Sequence, residues 1–275
     1  MTILKRIYKL LVLLAVVFIS TSAIVVFLPS SVYEWKDLKV NKVKDGEVRQ
    51  IIKSETKTLA ALDVFATTVN KGGKFKAGSV SGDQEEFMIL KEGKVKLNNG
   101  GQVTILKAGS VILFPPGVNR DFESVGDDKV CYYTFRWKSI ANHVSDPKFI
   151  ADQPIIYDWD KIEFKKTDKG GTRAILKMPT RSLIELEMHA TTLNEGMTSH
   201  AEHMHPDEEI ILVRFGTVNE SIKEKPYVLG PGSLIFLAPN DMHGIQNAGK
   251  GQCEYYAIRW ITEKTESAKP KATQN

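Results

Sequence analysis

The sequence carries one five-residue pattern twice, as Ala66-Thr67-Thr68-Val69-Asn70 and, 124 residues later, as Ala190-Thr191-Thr192-Leu193-Asn194. At the same offset, Tyr33-Glu34-Trp35 matches Tyr157-Asp158-Trp159. The second copy then loses one residue, and at the new offset of 123 Gly93 matches Gly216 and Arg136-Trp137 matches Arg259-Trp260. Agreement at so many fixed positions predicts that 33–137 and 157–260 are two copies of one structural unit, joined by a linker over 138–156.

Each copy has the pattern of β structure. Val111-Ile112-Leu113-Phe114 and its counterpart Leu234-Ile235-Phe236-Leu237 are short apolar runs between glycine and proline residues, which is typical of buried strands. From Leu183 to Met188 apolar and polar side chains alternate, as they do in a half-buried strand. Many short strands separated by turn residues predict an all-β chain in which each copy is a small sandwich or barrel.

The N-terminal segment differs from the rest of the chain. Residues 1–9 are basic, with Lys5, Arg6 and Lys9, and an uncharged apolar run follows over 10–28. At about 1.5 Å per residue this run is long enough to cross a ~30 Å hydrocarbon core. It predicts an uncleaved membrane anchor, with a cleaved secretory signal as the alternative. In both cases the basic residues stay in the cytoplasm, so the chain that follows the apolar run is expected outside the cytoplasm. It is either anchored at the membrane or secreted.

Composition excludes several classes of protein. The chain has 275 residues with a net charge of +4, and much of the positive charge lies in the N-terminal segment and the polar tail over 261–275. No basic stripe interleaved with aromatic residues remains, so we expect no nucleic-acid partner. Cys131 and Cys253 are too few for a disulfide framework, and they either pair with each other or stay as buried free thiols.

The second copy carries a cluster of histidines. His203 and His205 are two residues apart, so on a strand both side chains point to one face, and Glu209 keeps that parity. His243 lies downstream, just after a predicted strand and turn. Imidazoles with one carboxylate suit a divalent transition metal such as Mn, Fe, Zn, Ni or Cu. Three or four protein ligands leave open coordination positions, which a reactive metal needs.

These residues resemble the two sequence motifs of the cupin family. The first reads Gly196-(x6)-His203-x-His205-(x3)-Glu209-(x6)-Gly216, and the second reads Gly232-(x6)-Pro239-(x3)-His243-(x3)-Asn247, with the proline displaced by one residue. Together with the duplication, the resemblance implies two tandem jelly-roll barrels, a bicupin, over about 33–260. It also implies that the second barrel holds one metal through His203, His205, Glu209 and His243.

Two groups of bicupins share features with this chain. Its motif resembles that of exported bacterial bicupins that read His-x-x-His-x-His-Pro-(Asp/Glu)-Glu-Glu. More distantly, its layout is similar to that of (S)-ureidoglycine aminohydrolase, a manganese bicupin with an inert first barrel. The resemblance carries over no particular reaction to this chain.

Residues around the predicted ligands have several possible roles. His200 is a candidate catalytic group, as a fourth imidazole or a substrate contact, or else a histidine of a solvent-facing loop. His189 either supports the ligands from inside the barrel or is a satisfied core histidine, and the motif places Asn247 in the second shell or the substrate pocket. Glu208 neighbours a predicted ligand but has the opposite parity, so we expect it on the surface.

The first copy departs from the motif. At the offset of 123, His203 and His205 correspond to Val80 and Gly82, and His243 corresponds to Arg120. Since only Glu86 is retained, we expect no metal in the first barrel. We hypothesise that the Arg120 guanidinium takes the place of the metal and pairs with Glu86, the alternative being that Arg120 faces solvent.

The expected function is that of a metal-dependent enzyme acting on a small carboxylate or sugar-like substrate, as a hydrolase, an isomerase or a dioxygenase. The main alternative is a non-catalytic module that binds a carbohydrate or another small ligand with the help of the metal, and a structural or metal-storing role is a third. The chain is expected to be a monomer with pseudo-two-fold symmetry or a modest homodimer.

Overall fold

The computed structural model describes residues 27–71, 73, 76–77, 82, 84–99, 101–126, 128–140 and 153–267. The predicted basic segment, nearly all of the predicted anchor or signal, most of the linker and the end of the polar tail lie outside these residues. Leu28 is described, and it packs against the hydrophobic core. Within the described ranges, no helix is long and apolar enough to cross a membrane.

Among its described residues, the first half of the chain forms eleven strands. They are β1 (Ser31–Tyr33), β2 (Val40–Val43), β3 (Gly46–Ser54), β4 (Leu59–Val69), β5 (Lys76–Ala77), β6 (Glu85–Glu92), β7 (Lys94–Asn99), β8 (Gln102–Lys107), β9 (Val111–Phe114), β10 (Arg120–Val125) and β11 (Val130–Ser139).

The described part of the second half, 153–267, repeats this arrangement with ten strands. They are β12 (Ile155–Tyr157), β13 (Lys165–Thr167), β14 (Gly170–Met178), β15 (Glu185–Leu193), β16 (Glu208–Phe215), β17 (Val218–Ile222), β18 (Lys225–Leu229), β19 (Leu234–Leu237), β20 (His243–Asn247) and β21 (Cys253–Ile261). A short helix, α1, follows at Glu263–Ser267. The predicted all-β class is confirmed.

Each half builds a large sheet and a small sheet that pack face to face. In the first half the large sheet has the order β12-β9-β6-β11-β4-β3-β2 and the small sheet β5-β10-β7-β8. In the second half the orders are β1-β19-β16-β21-β15-β14-β13 and β18-β17-β20. Buried side chains from both sheets, such as Leu90 and Leu97 in the first half and Val213 and Val218 in the second, fill the space between them.

The two halves exchange their first strands. Strand β1 precedes the first barrel in the chain but pairs with β19 of the second barrel, with Val32 opposite Ile235. In the same way β12 pairs with β9 of the first barrel, with Ile156 opposite Ile112. The predicted division into 33–137 and 157–260 follows the order of the chain, whereas each large sheet is completed by a strand from the other half.

A buried carboxylate from each large sheet ties the barrels together. Glu208 accepts hydrogen bonds from the Thr56 hydroxyl (2.6 Å) and the Lys57 backbone N–H (2.8 Å), while Glu85 accepts from the Thr180 hydroxyl (2.9 Å). The expectation that Glu208 lies on the surface is wrong, since it is fully buried. Its parity is opposite to that of Glu209, but this face of the strand meets the other barrel rather than solvent.

Both cysteines are buried free thiols, so of the two alternatives drawn from the sequence the unpaired one holds. Burial raises the pKa of Cys131 and of Cys253. Thiols in such surroundings are poor nucleophiles.

Candidate metal centre

Strand ends place the four predicted ligands at one end of the second barrel. His243 begins β20 and exchanges two backbone hydrogen bonds with His203 (3.0 and 2.9 Å). His205 follows on the same segment, and Glu209 is the second residue of β16, where it is buried.

The side chains of these residues converge. One ring nitrogen from each of His203, His205 and His243 lies within 4.8 Å of the other two. Glu209 Oε2 is 3.1 Å from His205 Nε2 and 3.4 Å from His243 Nε2. The structure thus brings together all four residues that the sequence motif selects.

Backbone carbonyls fix the orientation of two of the rings. His205 Nδ1 is 3.0 Å from the carbonyl oxygen of Asp207, and His243 Nδ1 is 2.8 Å from that of Asp241. A carbonyl oxygen only accepts hydrogen bonds, so both Nδ1 atoms carry a proton and both Nε2 atoms face Glu209. Imidazole nitrogens and one carboxylate that converge in this way are a donor set that fits a divalent transition metal.

The protonation states also suit metal binding. Burial alone would raise the pKa of Glu209, but its hydrogen bonds with His205 and His243 outweigh burial and bring the pKa down to about 2. Burial and the neighbouring imidazoles, His200 first among them, lower the pKa of His203 to about 4. At neutral pH Glu209 is therefore ionised and His203 is neutral, the forms in which each can bind a metal.

The ligands line a cavity of about 230 Å³. The other polar and charged side chains of its wall are Ser199, His189, His200, Glu220, Tyr255 and Arg259. This volume is below the roughly 300–1,000 Å³ of sites for drug-sized molecules, which indicates a ligand of few atoms.

The three residues expected around the ligands, His200, His189 and Asn247, have different surroundings in the structure. His200 is exposed at the cavity wall, with its ring 4.2 Å from that of His203. His189 also lines the cavity, and burial lowers its pKa. Asn247 is buried away from the cavity, where its amide donates to the carbonyls of Leu193 (3.0 Å) and Gly251 (2.8 Å). The contacts of Asn247 therefore hold a turn together.

Sequence reasoning missed two charged residues of the wall. Arg259 lies opposite Glu209 in the sheet, and its guanidinium is held by Glu187 (2.9 Å). Glu220 is 1% exposed and lies on β17. A comparison of the two copies would have revealed Glu220, since it stands where the first copy has Leu97, a residue of the buried face.

In the first barrel, arginines surround the retained carboxylate. Arg120 Nη1 donates to both carboxylate oxygens of Glu86, each at 2.8 Å, and Arg136 Nη2 donates at 2.8 Å. The hypothesised pair of Arg120 and Glu86 is present in the structure. Gly82 is an exposed turn residue, whereas Val80 lies outside the described residues. Two guanidinium groups thus compensate the charge of a carboxylate that would otherwise be buried alone.

Larger side chains also fill the first barrel. At the offset of 123, Leu237 and Ile245 of the second barrel correspond to Phe114 and Phe122, both of which are buried. Phe122 packs edge-on against Tyr132, with ring centroids 5.3 Å apart. Ile245 lines the cavity of the second barrel, where its smaller side chain leaves more room than a phenylalanine would.

The family model for the cupin domain matches this sequence twice, over residues 65–135 and 190–259. The two matches together span half of the chain, and they coincide with the two barrels. No curated protein sequence is significantly similar to this chain.

Solved structures of similar fold are diverged in sequence. Protein Ylba from E. coli superposes with a TM-score of 0.68 at 14% identity, over 88% of this chain and 95% of that one. Oxalate decarboxylase from Lactobacillus farciminis, in a formate complex, gives 0.65 at 10% identity, over 86% and 88%. AerE from Microcystis aeruginosa gives 0.61 at 12% identity, over 82% and 97%. At these identities the likeness shows the two-barrel fold alone.

Proposed function

This chain belongs to the cupin family, and we propose that its C-terminal barrel is a metal-dependent enzyme for a small carboxylate. One observation carries the proposal: three imidazoles and the ionised Glu209 converge on the wall of a cavity of about 230 Å³. A fold of this family hosts many functions, so the proposal rests on the site rather than on the fold.

His203, His205, Glu209 and His243 would hold the metal. A divalent ion bound there supplies a Lewis acid that polarises a carboxylate or carbonyl oxygen of the substrate. The carbonyls of Asp207 and Asp241 keep the imidazoles of His205 and His243 oriented toward that position. This support fixes the ligands in place before substrate arrives.

The charges of the wall favour an anionic ligand. Arg259 brings a permanently charged guanidinium to the histidine-rich wall, where Glu187 keeps it in place and compensates part of its charge. His200 is positioned at the same wall with its Nδ1 atom bonded to a backbone carbonyl (2.9 Å), which leaves the other ring nitrogen for a substrate proton. A small carboxylate matches both the volume and the charge.

The proposal is tested by turnover in the full chain, loaded separately with Mn²⁺, Fe²⁺ and Zn²⁺. Each sample is incubated with oxalate, oxamate, lactate, pyruvate and a sugar acid, and ¹³C NMR follows the consumption of each compound. Oxalate is included because the structurally similar protein from Lactobacillus farciminis is an oxalate decarboxylase.

We expect one compound to be consumed by the wild type and not by His205→Ala, while Glu86→Gln in the first barrel retains activity. If the loaded protein binds one of these compounds and releases it unaltered with every metal, the enzyme proposal is contradicted and the binding-module alternative replaces it.

A further inference from the structure

Glu220 is a buried carboxyl group without a partner. Its side chain is 1% exposed, and neither carboxylate oxygen has a hydrogen-bond partner in the part of the chain that the structure describes. The residue lies in the middle of β17, opposite Ile245 of β20, and it lines the cavity that contains the predicted metal ligands. Burying a polar group unsatisfied is costly, and buried polar groups in proteins are nearly always paired.

The fold does not require a carboxyl group at this position. In the first barrel the equivalent residue is Leu97, fully buried and opposite Phe122 in the equivalent strand pair. The same backbone position therefore accepts an apolar side chain, as the hydrophobic packing around it favours. The carboxyl group occurs only in the barrel that has the cavity and the histidines, which indicates a role toward a bound ligand.

We propose that Glu220 selects the substrate by accepting a hydrogen bond from a hydroxyl or N–H group of the small carboxylate that binds in this cavity. The inference rests on the proposed function and narrows it. The substrate class becomes hydroxy, amino and amic acids, in which a donor group accompanies the carboxylate, rather than plain dicarboxylates or oxo acids.

The protonation state of Glu220 is compatible with this role. Burial raises its pKa to about 8. The carboxylate accepts hydrogen bonds through both oxygens, and the neutral acid still accepts through its carbonyl oxygen. An O–H or N–H group of the ligand is thus satisfied in either form.

Matched pairs of ligands test the inference. Oxamate carries an N–H₂ group where oxalate carries an oxygen, and lactate carries a hydroxyl where pyruvate carries a carbonyl. Their dissociation constants are measured with the Mn²⁺-loaded full chain by water-proton relaxation, for the wild type, Glu220→Leu and Glu220→Gln. Leucine is the residue of the first barrel at this position, and glutamine keeps the shape of the side chain if the leucine variant fails to fold.

We expect Glu220→Leu to weaken the binding of oxamate and lactate by about tenfold or more, because each loses a hydrogen bond to the buried carboxyl group. The binding of oxalate and pyruvate stays within about twofold or becomes tighter. Glu220→Gln gives a smaller loss for oxamate and lactate, because its amide carbonyl still accepts. Glu163, an exposed glutamate outside the cavity wall, provides the control variant Glu163→Gln, which leaves all four constants unchanged.

Other outcomes overturn the inference. If Glu220→Leu weakens the binding of all four ligands equally, or of none of them, Glu220 does not select for a donor group, and the proposed function stands. Loss of manganese from Glu220→Leu assigns the residue to the metal instead. If the loaded wild type binds none of the four compounds, the proposed function fails together with the inference.

Discussion

Glu220 contributes to stability in a way that depends on pH. Its pKa of about 8 in the folded chain is above the ordinary value of 4.5, so the folded state holds a proton that the unfolded state has released between these pH values. The free energy of unfolding therefore falls as pH rises through this window, by up to about 1.4 kcal/mol per pH unit. Below the window both states are protonated, and the loss is absent.

Glu220→Leu is expected to remove this pH-dependent fall in the free energy of unfolding, because leucine does not titrate. In the metal-free protein, the variant should exceed the wild type in free energy of unfolding at pH 8, and the difference should shrink steadily toward pH 5. Urea denaturation at pH 5, 6.5 and 8 measures it. The exposed Glu163→Gln variant should follow the wild type. A difference that does not change with pH would show that Glu220 titrates normally in the folded chain.

The pair of Arg120 and Glu86 can be tested in the first barrel. Glu86 is 2% exposed, so removing one of its two guanidinium partners leaves a buried charge that is only partly compensated. We expect Arg120→Ala to lower the free energy of unfolding by about 2–3 kcal/mol, and the double variant Arg120→Ala/Glu86→Leu to recover part of that loss.

An exposed ion pair supplies the control for this substitution. Lys96 and Glu123 are 3.9 Å apart and both are exposed, so Lys96→Ala should change the free energy of unfolding by less than about 0.5 kcal/mol. If urea denaturation shows that Arg120→Ala changes the free energy of unfolding as little as Lys96→Ala does, the guanidinium does not stabilise the carboxylate.

At the scale of the elements, an indole ring that follows each exchanged strand packs against the opposite barrel. The 3-10 turn Trp35–Asp37 follows β1, and a Cβ atom on Gly232 would lie 2.9 Å from the Trp35 ring. The symmetric contact is closer, since a Cβ atom on Gly109 would lie 2.5 Å from the Trp159 ring. Both glycines also have positive φ, which side-chain-bearing residues rarely adopt.

Gly109→Ala should therefore destabilise the protein more than a positive φ alone explains. Gly117 also has a positive φ (79°), but a Cβ atom there would meet nothing within 4 Å, so Gly117→Ala isolates the backbone effect. We expect Gly117→Ala to lower the free energy of unfolding by about 1 kcal/mol, and Gly109→Ala to lower it by at least about 2 kcal/mol more than Gly117→Ala does. Urea denaturation measures both changes. Equal costs would mean that Trp159 moves freely away from the glycine.

Much of the element order could be predicted, but not the exchange of strands. The apolar runs at 111–114 and 234–237 are strands β9 and β19 as expected, because fully buried strands are continuously apolar. Both copies carry the same Tyr-x-Trp pattern, which begins at the last residue of the exchanged strand, so the sequence looks the same whether that strand joins its own barrel or the other. Only packing decides between the two.

At the scale of the whole molecule, the duplication produced two barrels of different chemistry. The resemblance to the cupin motifs pointed to the four residues that meet at the candidate metal centre. Spacing could not select Glu220, because a lone glutamate in a polar-looking strand resembles a solvent-facing residue until it is compared with Leu97. The location outside the cytoplasm, the membrane anchor and the homodimer remain predictions.

The central claim is that one metal binds per chain, in the C-terminal barrel. Elemental mass spectrometry of the full chain, after reconstitution with Mn²⁺, Fe²⁺ or Zn²⁺ and removal of excess ion, measures it directly. The wild type and Glu86→Gln should each hold about one equivalent, and His203→Ala/His205→Ala should hold none, because two of three converging imidazoles are gone. Retention of metal by the double-alanine variant, or no bound metal in the wild type, would contradict the account.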